Sequence, residues 1–403
     1  MNKHVTLSII LTTVLFGAGY QNPNNSLNSS ALSTANIANA HGADSAYYNP
    51  ANMINNSSKQ ELEVALTYIS LSPINYRSTD GNYNIHSKEF SAFIPSMHYV
   101  SNKLTEDGVR VGFSIVSPAG LSREWEDFPA TPSAKKFALQ TLEFNPSMAI
   151  PLSDKVSLGC GFRYIKAYSQ ATLDGSMLGP SAYQIEMEGE ADAYGYNLAL
   201  AYKPSEALNI SATYRSKVIL NLRGDADVIL VGTPISSGVS LEVPLPANFI
   251  LATAYTFTTD TTVEITYHRI MWSVVEETDF NYDNAIVESA LGASQEKKWH
   301  DTVAYRLGIT QELDWITLMA GFAYGNNTAD DRYVSFASPE SDSFALSFGG
   351  RYNVSSDFNL GLAMLYSENE KRTVNQSTNP LGVNGTLSDK SAYSLTVGAG
   401  FKF

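Results

Sequence analysis

From Glu61 to the C-terminus, the chain repeats runs of about ten residues in which apolar side chains alternate with small or polar ones. The final run shows the pattern most clearly. There, apolar residues from Tyr393 to Phe403 occupy every second position, and Ser, Thr, Gly and Lys lie between them. A period of two predicts β-strands with one apolar face and one face that suits water. Such strands build either a soluble sheet protein or a membrane barrel.

The length and number of these runs favour a barrel. Strands of a β-sandwich usually have five or six residues, whereas a tilted membrane strand needs about 9–11. Short connections at 203–207, 258–261 and 354–357 alternate with longer polar ones, and bacterial outer-membrane barrels have this arrangement together with an even strand number. We therefore predict an all-β fold, a 14-stranded antiparallel transmembrane β-barrel, with strands at 61–72, 88–100, 108–118, 136–151, 155–170, 190–203, 207–223, 239–258, 261–277, 298–313, 315–325, 342–354, 357–370 and 388–403.

The N-terminal part of the chain differs from the rest. Residues 1–19 begin with Lys3, continue through an apolar stretch to Phe16 and end in small residues, which is typical of a secretory signal peptide. Residues 20–58 are rich in Asn, Ser and Ala and show no strand alternation. We predict a signal peptide at 1–19, a separate N-terminal segment at 20–58 and the barrel at 59–403, and no later apolar run is long enough for a transmembrane helix.

Composition and motifs exclude several functions. Lys and Arg number 26 against 40 Asp and Glu, so nucleic acid is not an expected partner. The single cysteine, Cys160, provides neither a disulfide framework nor a cysteine-based zinc site. The six histidines are too dispersed for a local metal motif, and no nucleotide-binding or hydrolase motif occurs, so no metal, cofactor or enzyme activity is predicted. A barrel hydrolase that combines His268 with Glu264 and Asp260 is the alternative that spacing leaves open.

A 14-stranded barrel encloses a wide lumen, because about eight strands already suffice for side chains to fill the interior. The lumen therefore needs an obstruction, and residues 20–58 form the only unassigned stretch long enough to provide one. We predict that this segment is a hatch inside the barrel. A disordered periplasmic tail is the alternative.

Several segments resemble, in order, the FadL-type family of outer-membrane transporters for long-chain fatty acids and other hydrophobic compounds. The segment at 42–53, GADSAYYNPANM, carries that family's Asn-Pro-Ala motif at Asn49, Pro50 and Ala51, between the predicted hatch and the first strand. The resemblance covers nearly the whole mature chain. It continues at 95–100, 111–125, 143–167, 212–227, 245–257, 299–308 and 338–366.

The resemblance implies a barrel plugged by the hatch, a ligand pocket inside it and a lateral opening where the third strand is kinked. In this sequence the kink falls at Ser117, Pro118, Ala119 and Gly120. Pro118 has no N–H and must interrupt the hydrogen-bond ladder, which a membrane tolerates only where the backbone lines a cavity. The alternative is that Pro118 ends the third strand at a loop.

The resemblance also implies basic residues that hold a fatty-acid carboxylate inside the barrel. The matching positions are Lys166 and His300. Lys166 has the outward parity of its strand, so it faces the lumen only if a bulge intervenes, and the inward-facing Arg163 is the alternative. His300 stands where the family commonly has lysine, and a histidine need not be charged at neutral pH, which leaves room for uncharged ligands such as aromatic hydrocarbons.

These features predict passive transport of hydrophobic compounds, long-chain fatty acids first, across the bacterial outer membrane. The alternatives are uptake of monoaromatic hydrocarbons by the same mechanism, a surface adhesin or receptor on a barrel scaffold, and a general porin. Expected partners are the hydrophobic ligand, outer-membrane lipid with lipopolysaccharide, and the barrel assembly machinery, which would bind the strand ending at Phe403. We expect a monomer.

Three basic residues near loop ends are interpreted as solvated or facing lipopolysaccharide, with an outer ligand groove as the alternative: Arg123, Lys297 and Lys298.

Overall fold

The computed structural model describes residues 19–375, 379 and 382–403, so all of the predicted signal peptide except Gly19 lies outside the described residues. The chain forms a closed antiparallel β-barrel of 14 strands, which confirms the predicted fold class and strand number. The first and last strands close the barrel, with Leu62 opposite Phe401. None of the described helices is long and apolar enough to cross a membrane.

The barrel strands follow one another around the wall in chain order. Three of them consist of two segments separated by a short break. The strands are β1 (Glu61–Leu71), β2 (Phe90–Val100), β3 (Arg110–Val116 and Gly120–Glu124), β4 (Lys136–Pro151), β5 (Val156–Asp174), β6 (Tyr183–Tyr202), β7 (Leu208–Arg215 and Val218–Leu230), β8 (Thr233–Leu245 and Asn248–Thr256), β9 (Thr261–Ile270), β10 (Thr302–Glu312), β11 (Ile316–Gly325), β12 (Ser343–Asn353), β13 (Phe358–Asn369) and β14 (Lys390–Lys402).

The outer face of the barrel is apolar and exposed. Phe93, Tyr194, Ile265, Phe348 and Met364 are each 57–65% exposed and come from strands around the whole wall. In water, an apolar surface that continues around the molecule would drive aggregation, whereas a bilayer solvates it. The outer face is therefore the surface that meets lipid.

The breaks in β7 and β8 lie side by side. Arg215 pairs with Asn248 below the breaks and Val218 pairs with Leu245 above them. Pro246, which has no N–H for the ladder, lies in the β8 break. At the breaks, the alternate positions that face inward shift by one residue. The upper segments therefore point apolar side chains such as Leu220 into a buried core inside the barrel.

The strands β5 to β8 extend further than the sequence predicted. The stretches 171–189 and 224–238 were expected as long loops but are mostly the outer ends of β5 to β8, and β7 joins β8 through Val231 and Gly232, both at positive φ. The prediction was wrong because it required an apolar outward face. In these outer ends the outward residues are charged, as at Glu188 and Asp225, while the backbone ladder continues.

Short elements cover one end of the barrel. One four-stranded sheet contains pieces of the loops after β1 and β13, and the loop after β9 contributes a strand that pairs with β8. These short strands are Asn75–Ser78, Asn84–His86, Glu277–Thr278, Phe280–Tyr282, Gln295–Glu296, Arg372–Val374 and Gly385–Ser388. The helices in loops are Thr131–Ala134 and Ala285–Leu291, with 3₁₀ turns at Ser176–Ser181, Trp272–Val274 and Asp331–Tyr333.

Residues 19–56, here called the luminal segment, lie inside the barrel. The segment contains α1 (Leu27–Ala31), α2 (Ser45–Tyr48) and a 3₁₀ helix (Pro50–Asn55), and nearly all of its residues are buried. It touches the inner wall closely, since a Cβ built on Gly321 of β11 would lie 2.2 Å from the carbonyl carbon of Leu32. Glycine at this position allows the backbone of the segment to approach the wall.

Candidate functional site

Three carboxylates of the wall hold the luminal segment. The two oxygens of Glu264 accept hydrogen bonds from the backbone N–H groups of Ile37 and Asn39, each at 2.7 Å. Glu63 accepts from the N–H of Leu27 at 3.2 Å. The third carboxylate, Glu143, acts through Arg215. Arg215 pairs with Glu143 and donates a hydrogen bond to the Tyr47 carbonyl at 3.2 Å.

The Asn-Pro-Ala motif connects the segment to itself and to β5. Asn49 Nδ2 donates to the Ile37 carbonyl at 2.8 Å, and Pro50 starts the 3₁₀ helix. Ser157 Oγ donates to the Ala51 carbonyl at 2.9 Å. All three motif residues are buried, so the motif fixes the shape of the segment and seats it on the wall.

The ladder between β2 and β3 is interrupted. Pairing runs from Val100–Gly112 to Met97–Ile115 and stops there, and the outer segment of β3, Gly120–Glu124, pairs with β4 alone. Residues 90–96 of β2 therefore have no partner in β3 within the described chain. This interruption coincides with the predicted kink at 117–120.

The backbone freed by the kink bonds to the luminal segment instead. The Asn22 N–H donates to the Pro118 carbonyl at 2.8 Å, and the Gly120 N–H donates to the Tyr20 carbonyl at 2.9 Å. Two contacts involve side chains: Asn22 Nδ2 donates to the Ser117 carbonyl at 3.0 Å, and the Ser117 N–H donates to Asn25 Oδ1 at 3.1 Å. The first residues of the segment thus take the place of β2 beside β3.

Two cavities lie on either side of these first residues. One, here called the aromatic cavity, has a volume of about 120 Å³, and its lining includes Tyr20, Leu121, Phe137, Val243, Lys297 and Trp299. The other, here called the luminal cavity, has a volume of about 70 Å³, and its lining includes Gln21, Tyr47, Pro118, Arg215 and His268. The consecutive residues Tyr20 and Gln21 thus line different cavities.

Aromatic contacts position Tyr20. Its ring meets Trp272 edge-on with centroids 4.8 Å apart, and the Trp299 centroid is 6.0 Å away. Its hydroxyl donates to the Pro244 carbonyl, next to the break in β8. The first residue of the predicted mature chain is therefore held by packing and by two hydrogen bonds, one through its hydroxyl and one through its carbonyl.

The three basic residues that are candidates for binding a ligand carboxylate do not meet at one cavity. Lys166 lies on the outer face with its side chain 59% exposed and its Nζ 3.9 Å from Asp192, because the register between β5 and β6 continues without a bulge. Lys166 therefore keeps the outward parity of its strand, and its candidacy as a carboxylate-binding residue inside the lumen is corrected. His300 is half-exposed beside Asp330, with 4.0 Å between His300 Nε2 and the carboxylate.

Arg163 does face the inside and lines the luminal cavity, where it shares the Glu143 carboxylate with Arg215. Its guanidinium is buried and donates to both oxygens of Glu143, at 3.0–3.2 Å, and to the Ser216 carbonyl at 2.8 Å. A ligand carboxylate would have to compete with that of Glu143.

The residues of the alternative hydrolase do not form a catalytic group. His268 Nδ1 accepts from Arg306 at 2.9 Å, and Glu264 is occupied by the luminal segment. Asp260 lies in the turn between β8 and β9, at positive φ. No hydrogen bond joins these three side chains in the described part of the protein.

Sequence reasoning misinterpreted Lys297. The Lys297 side chain, expected to be solvated, is 7% exposed and lines the aromatic cavity. Arg123, also expected to be solvated, is 3% exposed, whereas Lys298 is exposed as expected. Burial lowers the pKa of Lys297 to about 8. No local signal distinguishes the two lysines, because loops distant in sequence fold over only one of them.

Comparisons with known proteins agree with this architecture. A model of the family described as outer membrane protein transport protein (OMPP1/FadL/TodX) matches residues 8–403. The long-chain fatty acid transport protein of Salmonella typhi is 24% identical over 321 residues, which cover 71% of this chain and 72% of that protein. The Escherichia coli O6:H1 protein of the same name is 25% identical over 321 residues, covering 70% of each.

Solved structures share the fold. A Pseudomonas aeruginosa FadL homologue superimposes with a TM-score of 0.81 at 16% identity, covering 96% of this chain and 100% of that one. The P. putida toluene transporter TodX gives a TM-score of 0.74 at 17% identity, covering 96% and 99%. Because the family model spans nearly the whole chain, this barrel belongs to the OMPP1/FadL/TodX family of outer-membrane transport proteins.

Proposed function

We propose that this outer-membrane transporter takes up long-chain fatty acids passively and releases them sideways through the gap between β2 and β3. The coarser function, outer-membrane transport of hydrophobic compounds, follows from the family. Relatives named as long-chain fatty acid transport proteins support the choice of substrate. No nucleotide-binding motif occurs in the sequence, so a concentration gradient is the proposed driving force.

The interrupted ladder carries the proposal of lateral release. Backbone groups without a partner are tolerated in the hydrocarbon region only where they line a cavity or meet other protein. The backbone at the kink of β3 satisfies both conditions, because Pro118 lines the luminal cavity and its carbonyl accepts a hydrogen bond from Asn22. A hydrophobic solute that leaves at this point enters lipid without crossing an aqueous pore.

The proposed path runs from the aromatic cavity to the luminal cavity and then to the gap. Tyr20 lines one cavity and Gln21 the other, so the proposed path requires the first residues of the luminal segment to move. Movement breaks the hydrogen bonds to Pro118 and Gly120, those from the Tyr20 hydroxyl to the Pro244 carbonyl and from Asn22 Nδ2 to the Ser117 carbonyl, and a weaker one from Gln21 Nε2 to the Pro246 carbonyl, at 3.4 Å. Each such bond contributes about 1 kcal/mol, so the displacement is accessible.

The register of β3 suggests a test of lateral release. Val116 pairs with Glu143 and Gly120 with Gln140, so residues 117–119 lie opposite residues 141–142 of β4, and β3 contains one extra residue. Deleting Pro118 removes the extra residue and lets the hydrogen-bond ladder of β3 continue without a break. We expect uptake of radiolabelled oleate to fall to the level of cells that lack the protein, while the barrel still migrates as folded on unheated gels.

The matched control is Pro118→Ala, which restores an N–H but keeps the extra residue. This variant should retain most of the uptake. Unchanged uptake after deletion of Pro118 would contradict lateral release at β3, and loss of uptake in both variants would show that Pro118 acts in another way.

Uptake of small aromatic hydrocarbons is the second candidate. The aromatic cavity, at about 120 Å³, is close in volume to cavities of about 150 Å³ that hold benzene. If this candidate is correct, labelled toluene should bind saturably to the purified barrel, and excess toluene should compete with oleate, because both would use the same cavity. A barrel that binds oleate saturably and excludes toluene would contradict it.

A further inference from the structure

A buried histidine lies where the ladder between β2 and β3 stops. Met97 and Ile115 form the last pair of that ladder, and the pair before them is His98 with Ser114. The His98 ring makes two contacts: Nδ1 lies 2.9 Å from Ser114 Oγ, and Nε2 lies 2.8 Å from the carbonyl oxygen of Asn25 in the luminal segment. A carbonyl oxygen only accepts hydrogen bonds, so the Nε2–H of His98 donates to it.

Asn25 is held from β3 as well. Its side-chain oxygen accepts from the Ser117 N–H at 3.1 Å. The backbone of Asn25 is therefore bonded to β2 and its side chain to β3. Together with the contact between His98 and Ser114, these hydrogen bonds form a bridge across the two strands, directly beyond the last pair of the ladder.

Asn25 also marks a boundary within the luminal segment. On one side lie residues 20–24, which bond to the kink and have to move on the proposed path. On the other side Ser26 caps α1, because its Oγ accepts from the Ser29 N–H at 3.0 Å. The Asn25 N–H donates to the Tyr48 hydroxyl of α2 at 2.7 Å. The contacts of Asn25 therefore determine where the movable part of the segment begins.

The contact with His98 fixes one end of the gap between β2 and β3. Without it, the buried Asn25 carbonyl loses this donor, and a buried acceptor that loses its donor is costly. Asn25 would then shift, and the opening would extend further toward the turn between β2 and β3. A longer opening admits wider solutes, because a longer stretch of the wall parts.

We infer that His98 is a positioning residue of the lateral gap: it holds Asn25 in place and thereby limits the width of the hydrophobic solutes that can leave. This inference rests on the proposed function and adds a determinant of solute size to it. His98 acts through Asn25, so it need not touch the solute itself.

The test compares two fatty acids of different width, oleate and a hexadecanoate that carries a terminal pyrene. Uptake of each is measured in cells that produce wild type or His98→Leu. We expect His98→Leu to raise the ratio of pyrene-labelled to oleate uptake about fivefold, as loss of one hydrogen bond shifts an equilibrium between closed and open states. His98→Gln keeps a donor near the position of Nε2 and should restore the wild-type ratio.

A hydrogen bond elsewhere on the wall provides the matched control. Thr396 Oγ1 of β14 donates to Ser30 Oγ at 3.0 Å, so it also joins the wall to the luminal segment. Thr396→Val removes this hydrogen bond and should leave the uptake ratio unchanged.

Hydrogen exchange of the purified full-length barrel gives a second measurement that does not depend on transport. Peptides that cover residues 20–25 should exchange faster in His98→Leu than in wild type, His98→Gln or Thr396→Val. Peptides that cover residues 45–56 should not differ. If His98→Leu does not migrate as folded on unheated gels, Asn25→Ala replaces it, because that variant removes the contact with Ser117 on the other side of the bridge and should also raise the ratio.

The outcomes separate the inference from the proposed function. Wild-type protein that takes up neither fatty acid contradicts the proposed function itself. Uptake of oleate with an unchanged ratio in the folded variant overturns the inference alone, with or without faster exchange of residues 20–25. An equal rise of the ratio in His98→Leu and His98→Gln overturns it as well, because it assigns His98 a role in packing.

Discussion

Single side chains of the wall determine whether the luminal segment stays in place. Glu264 is buried, and its two oxygens accept two backbone N–H groups of the segment. Glu264→Ala leaves both groups without an acceptor, which costs about 1–3 kcal/mol for each. We expect a folded barrel with a loosened segment, measured as raised ion conductance in planar bilayers.

Two variants control for the charge and for the site. Glu264→Gln keeps one acceptor oxygen and should conduct less than Glu264→Ala. Glu186→Ala removes a carboxylate from the exposed outer face of β6 and should conduct like wild type. Wild-type conductance in Glu264→Ala would show that this carboxylate does not hold the segment.

At residue scale, the sequence predicted which side chains of a strand face inward and which face outward. It did not predict which residue of the neighbouring strand each side chain contacts. Alternation in the sequence indicated that Lys166 points outward and Arg163 inward, and the structure places both so. The neutralising partner Glu143 was not evident, because the sequence does not give the register between β4 and β5. Lys297 was misinterpreted for a related reason, since its burial depends on loops that meet only in three dimensions.

Among the elements, β11 shows how the wall is adapted to its contents. Gly321 and Gly325 lie on the same inner face, but a Cβ on Gly321 would lie 2.2 Å from the Leu32 backbone, whereas one on Gly325 would have its nearest neighbour at 3.6 Å. Gly321→Ala should therefore push α1 away from the wall, and Gly325→Ala should be tolerated.

Hydrogen exchange followed by mass spectrometry measures this difference. Peptides that cover residues 27–35 should exchange faster in Gly321→Ala than in Gly325→Ala, and peptides of β11 itself should not differ. Equal protection of residues 27–35 in the two variants would show that the wall yields instead of the segment.

For the whole molecule, the fold was predictable because strand period, strand length and connection length all depend on the bilayer. Those signals weaken outside the hydrocarbon region. The charged outer ends of β5 to β8 were therefore taken for loops, although Glu188 and Asp225 lie in a continuous ladder. The break in β3 was evident from Pro118 alone, but the structure was needed to show that the luminal segment bonds to it.

The hydrogen bonds between β3 and the luminal segment affect both the integrity of the barrel wall and the rate of transport. Four hydrogen bonds from Tyr20, Asn22 and Asn25 complete a wall that β2 leaves unfinished, and the proposed route requires some of the same bonds to break. Substitutions that strengthen this contact should slow each passage, and those that weaken it should let the barrel leak. Selection for faster uptake and selection for a robust envelope therefore oppose each other at a few consecutive residues.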